Sequence, residues 1–195
     1  MDNQYPPVKK NLPILKIIIV VFAAVIAFEL LMGAKTLLTP ISVKKPQTVI
    51  LTEGSISLAA TKQAAALGES IPINIKIATG GHLTAGVDLV LKYDPSVLEA
   101  SPASFIKGNT FDDYPPMDIN STKGVIRISG VMAANKAGFK GSGDFGTLQF
   151  ITKARGSTNI SLDFKQSQTS DSNMVEVGTN NDVLGSVGSV TINIQ

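Results

Sequence analysis

The chain predicts an all-β domain, an antiparallel β-sandwich of about nine short strands, preceded by one apolar helix. Three patterns point there: apolar and polar residues alternate with a period of two, Gly, Pro, Asn and Asp separate the alternating runs, and no amphipathic helical period lies between them. A period of two places one apolar row on one strand face, and two such sheets bury those rows against each other.

Residues 1–13 read as a polar head, with Lys9 and Lys10 and helix-discouraging Pro6, Pro7 and Pro13. Residues 14–34 form an apolar segment whose run from Ile14 to Met32, nineteen residues, reaches about 28 Å as a helix, close to the thickness of the bilayer hydrocarbon. Two readings of the run are open, a cleaved signal peptide and an uncleaved signal anchor. Cleavage after Ala34 would put Met32 where a small residue is wanted, which favours the anchor. Lys9 and Lys10 then keep the N-terminus cytoplasmic, giving a single-pass cell-membrane protein with its C-terminal domain outside. Residues 35–54, with Pro40 and Pro46 and no helical period, read as an extended stalk whose Val49–Leu51 segment is a candidate edge strand.

The sandwich is assigned to residues 55–195, enough chain to bury roughly 68% of its unfolded surface without staples. Ile71, Ile73, Ile75 and Ile77 alternate over a full strand that ends at the Gly80-Gly81 turn. Val87, Leu89, Leu91 and Tyr93 form the next apolar row, with Gly86, Asp88, Val90 and Lys92 on the opposite face, and Asp94-Pro95-Ser96 turns the chain. Further strands are expected at Met117–Ser121, Val125–Met132, Thr147–Lys153, Ile160–Phe164 and Val190–Ile194. Phe105–Pro116 and Asn135–Gly143 read as loops, and Ala59–Leu67 as at most one helical turn.

Six of the seventeen Lys and Arg residues and three of the fifteen acids precede Ser55, so the excess positive charge belongs to the anchor. A near-neutral domain without a basic cluster argues against a nucleic-acid partner. The absence of cysteine excludes disulfides and thiolate metal sites. Gly141-Ser142-Gly143-Asp144-Phe145-Gly146 has the letters of a dinucleotide fingerprint, but strand residues follow where the fingerprint needs a helix, so it reads as a loop. His82 reads as a surface-turn residue.

No nucleophile, base or metal constellation assembles, so the protein is not expected to be an enzyme, and no catalytic or metal-ligating residue is assigned. No cofactor is required, although a loose calcium site remains open in the Asp112-Asp113-Asp118 loop and the Asp171-Ser172-Asn173 loop. Sugar binding usually needs exposed aromatic faces; there is no Trp, and Tyr114 is the one Tyr expected on a domain loop.

Three ordered stretches resemble the cohesin family of cellulosome-type scaffolding modules, whose sandwich is shared with carbohydrate-binding modules. They are GVDLVLKYDPSVLE at Gly86–Glu99, GDFGTLQFITK at Gly143–Lys153, and SDSNMVE at Ser170–Glu176 with the closing Gly188-Ser189-Val190-Thr191-Ile192. The resemblance implies a non-catalytic receptor that docks a dockerin-bearing protein on one sheet face in polysaccharide-degrading or cell-surface assemblies. Asp88 matches the family's recognition Asp, while the Asn expected two residues earlier is Gly86. Val90 and Lys92 share that outward face, and Ala133 and Asn135 fall on the expected rim. Alternatives are direct polysaccharide binding, with Tyr114 as the glycan contact, and a structural or adhesion role at the cell surface.

Overall fold

The computed structural model describes residues 12–38, 51–166 and 168–195. The chain divides into two compact units, residues 1–47 and 48–195. In the first, helix α1 spans Leu12–Leu38, and its Lys16–Ala34 segment of 19 residues, with mean hydropathy 2.7, is long and apolar enough to cross a membrane. Apolar side chains project all around it, as a lipid-facing helix requires. The helix runs into the first part of the predicted stalk; of the candidate edge strand, Val49 and Ile50 lie outside the described residues and Leu51 is not in a strand.

The second unit is a two-sheet sandwich. Its strands are β1 Gly54–Ala60, β2 Ala64–Ala65, β3 Ser70–Ala78, β4 Thr84–Lys92, β5 Leu98–Glu99, β6 Phe105–Lys107, β7 Asp118–Asn120, β8 Val125–Val131, β9 Ser142–Thr152, β10 Gly156–Leu162, β11 Asn173–Glu176, β12 Leu184–Val187 and β13 Ser189–Ile194. One sheet has the order β12-β1-β3-β9-β5, with β6 also on β9; the other has the order β2-β13-β10-β4-β8-β7, with β11 also on β4. The predicted apolar rows meet between them: Ile71, Ile73, Ile75 and Ile77 from one sheet, and Val87, Leu89, Leu91, Ile126, Ile128 and Ile160 from the other, are all buried.

Three local expectations are corrected. The Gly141–Gly146 segment is strand from Ser142 onward, and Phe145 is the extra residue of a β-bulge, because Ile75 pairs with Gly146 and Lys76 with Asp144. The inserted residue flips the strand's parity, so Phe145 faces the same core as Leu148 and Phe150; without it, Phe145 would point to solvent. Phe105–Lys107, expected in a loop, pairs with β9 as β6. Ala59–Leu67 contains no helical turn: Ala64–Ala65 runs parallel to β13, where backbone bonds from Asn193 N to Gln63 O and Gln195 N to Ala65 O hold it extended. So short a segment gains too few internal bonds to nucleate a helix against that competition.

At the domain entry, Thr52 N donates to Gly80 O at 2.9 Å and Gly54 N to Val183 O at 2.7 Å. Gly80 has φ 62°, and a side chain there would lie 1.8 Å from Thr52 O, so both the turn and the close approach require glycine.

β4 is the strand that positions the candidate site. Along one edge it pairs with β8 from Gly86 to Lys92. Along the other, β11 covers Thr84–Asp88 and β10 covers Leu91–Lys92. The junction between them is closed by Ser172, whose Oγ accepts from Val90 N at 3.0 Å, and by Asp163 N, which donates to Val90 O at 2.7 Å. Residues 163–166 and 168–172 lie off the sheet at that junction.

Candidate functional site: the outer face around Asp88

The site lies on the outer face of the β4 sheet, where register sets which side chains are neighbours. Residues directly opposite in an antiparallel ladder project to the same side. Val131, Gly86 and Val175 therefore form one row, and Ser129, Asp88 and Asn173 the next. Asp88 is half-buried, and its Oδ1 accepts from Ser129 Oγ at 2.5 Å. No other hydrogen bond reaches this carboxylate from the described residues, which leaves Oδ2 as an acceptor facing outward.

The remaining residues of this face take different roles from those their alternation suggests. Val90 projects outward but is only 4% exposed. Arg127, its partner on β8, reaches across β4 to Ser170 O at 3.4 Å, and this bridging side chain accounts for the covering of Val90. Gly86 is also buried, and a side chain there would meet Gly130 O at 3.0 Å and Val131 Cγ1 at 3.2 Å, so Val131 occupies the room an Asn would need. Lys92 is exposed and pairs with Asp163 at 2.8 Å.

Ala133 and Asn135 sit on the loop after β8, tied to β4 by Met132 N donating to Ala85 O at 2.9 Å. Ala133 N donates to Asp112 Oδ2 at 3.0 Å, and Lys136 Nζ pairs with the same carboxylate. These two donors, the Ala133 amide first, hold the Asp112 carboxyl below its ordinary range. Asn135 is exposed.

Tyr114 is not presented on a loop surface. It is 5% exposed, and its ring packs at 5.3 Å from Phe145, 5.8 Å from Phe105 and 6.2 Å from Phe111. Burial raises its phenol pKa. Strand β6 and the Phe145 bulge, neither legible in the sequence, create the aromatic cluster that draws it in.

Sequence reasoning also missed a pair beside the site. His82 Nδ1 and Glu176 Oε1 share a hydrogen bond of 2.7 Å, and Thr179 Oγ1 donates to Glu176 Oε2 at 2.7 Å. The His82 bond, then the Thr179 bond, hold the Glu176 carboxyl below its ordinary range. No local signal connects the Gly-Gly-His turn with β11. Among the described residues, no group of three His, Asp or Glu side chains is arranged to hold a metal.

The cohesin domain family profile matches residues 54–192. No curated protein matches the sequence. Among solved structures, a type II cohesin domain from the cellulosome of Acetivibrio cellulolyticus is similar at TM-score 0.59 and 17% identity, covering 72% of this chain and 95% of its own. The type II cohesin–X-dockerin complex from the same organism matches at TM-score 0.56 and 15% identity, over 73% of this chain and 100% of the matched one. A non-cellulosomal cohesin from the archaeon Archaeoglobus fulgidus matches at TM-score 0.53 and 17% identity, over 74% of this chain and 92% of its own. At these identities the structures establish a shared sandwich, and the family profile, spanning nearly the whole of that sandwich, establishes kinship: the chain belongs to the cohesin domain family.

Proposed function

We propose that the protein is a membrane-anchored extracellular receptor that docks a dockerin-bearing or similar protein, tethering it in a polysaccharide-degrading or cell-surface assembly. The observation that carries this reading is the family match over residues 54–192. The proposed docking surface is the outer face of the β4 sheet, with Asp88 as its polar anchor. Lys92, Ala133 and Asn135 form the rim, and Gly86 and Val90 contribute to the floor rather than to direct contact. Helix α1 acts as an uncleaved anchor with the sandwich outside the cell, and the module acts by binding, without catalysis. The full chain in detergent micelles, presented with dockerin-containing proteins encoded in the same genome, should retain at least one of them and lose it on Asp88→Ala. Retention of none overturns the reading.

A second reading, a structural or adhesion role outside polysaccharide degradation, draws on the similarity to a cohesin described as non-cellulosomal. Direct polysaccharide binding has lost its aromatic candidate, because the Tyr114 ring lies in the core. Retention on insoluble cellulose measures that alternative directly.

A further inference from the structure

The loop before β11 and the first residue of that strand contain two buried side chains with unmet needs, Asp171 and Asn173. Asp171 is 6% exposed and Asn173 is 5% exposed. Asp171 Oδ2 accepts from Lys165 N, at 2.5 Å, so the carboxylate points into the loop. Asn173 Nδ2 lies 3.4 Å from both Thr169 O and Asp171 O, so the amide points into the same loop. The amide orientation is fixed by these neighbours: flipping it would set its oxygen against two carbonyl oxygens. The other oxygen of each group, Asp171 Oδ1 and Asn173 Oδ1, is fully enclosed and has no hydrogen-bond donor.

Two enclosed acceptors cannot satisfy each other, and one belongs to a carboxylate, whose burial is costly without a cation or several donors. Of the nearby cations, Lys92 pairs with Asp163 and Arg127 reaches Ser170 O, while Lys165 is exposed and gives Asp171 its backbone amide. No Lys or Arg among the described residues pairs with Asp171. What remains in this loop is an unmet carboxylate oxygen and an unmet amide oxygen, while the Thr169 and Asp171 carbonyls each accept from the Asn173 amide nitrogen and keep a second lone pair. Hard divalent cations take this mixed oxygen set, and calcium, with six to eight ligands at flexible geometry, accepts backbone carbonyls and water to complete its shell.

We propose that the 169–173 stretch holds a weak calcium site with Asp171 Oδ1 and Asn173 Oδ1 as its side-chain ligands. A single carboxylate places its affinity with the low-affinity extracellular modules, with half-saturation at about 0.1–1 mM. Magnesium, smaller and reluctant to shed water, fits the loop less well. The site borders the Asp88 row, because Asn173 stands opposite Asp88, yet its existence does not depend on the docking partner.

Hydrogen–deuterium exchange of the full chain in detergent micelles, read on peptides covering β11 and the preceding loop, tests it with CaCl2 and MgCl2 as probes. Calcium at about 10 mM should slow exchange there several-fold, well above the magnesium effect, and Asp171→Asn should abolish the calcium response. Unchanged exchange of the wild-type loop in calcium overturns the proposal without recourse to any variant. An equal response to both cations, or a calcium response undiminished in a folded Asp171→Asn protein, overturns it as well.

Discussion

Asp88 on β4 and Ser129 on β8 stand directly opposite each other, and the Ser129 hydroxyl holds one oxygen of the Asp88 carboxylate at 2.5 Å. The bond fixes the carboxylate's orientation, and on the proposed docking face it leaves the second oxygen for a partner's donor. Asp88→Ala should therefore weaken dockerin capture by about 1–3 kcal/mol, the cost of leaving interface donors unpaired. Titration calorimetry with a captured dockerin protein measures it, and unchanged affinity sinks the assignment of the docking face.

Tyr114 gives the contrasting expectation. Removing a ring packed against three phenylalanines should cost about 3–5 kcal/mol of stability. Urea unfolding of Tyr114→Ala followed by circular dichroism reads this, and a loss under about 1 kcal/mol would show that the ring is not part of the core.

Two glycines with positive φ separate backbone strain from steric contact. Gly68, at φ 79°, has open space around its missing side chain, whereas at Gly80 a side chain would collide with Thr52. Gly68→Ala should cost about 1 kcal/mol, and Gly80→Ala about 2–3 kcal/mol, because the clash adds to the strain. Equal costs in urea unfolding would mean that the Thr52–Gly80 junction does not hold the domain entry.

The His82–Glu176 pair carries a pH dependence with a definite sign. The folded-state pKa of Glu176 lies below its ordinary value near 4.5, so the contribution is fully present above that value and is lost as the pH falls through the lower folded one. His82→Ala removes the leading cause of the depression. The variant should lose less stability than wild type between about pH 5 and pH 3, as read by urea midpoints at each pH. Parallel slopes would show that the pair does not couple to folding.

The sequence by itself determined the sandwich, its apolar rows and the apolar N-terminal helix. Each rests on a local period: every second residue from Ile71 to Ile77 or from Val87 to Tyr93 must share a face whatever the strand pairs with. The placement of Asp88 on the outer face follows from the same parity. Tertiary structure decided what that parity leaves open. Val90 points outward as its position requires, yet the Arg127 side chain, bridging to Ser170, covers it. The space beside Gly86 is taken by Val131, a residue of another strand. Tyr114 turns inward because a one-residue bulge at Phe145 reverses the facing of β9 and builds an aromatic cluster. Asp171 and Asn173, read along the chain as part of a loop open to a loose calcium site, become buried side chains only in the folded domain. Period fixes direction along one strand, whereas exposure depends on neighbours brought together from distant parts of the chain.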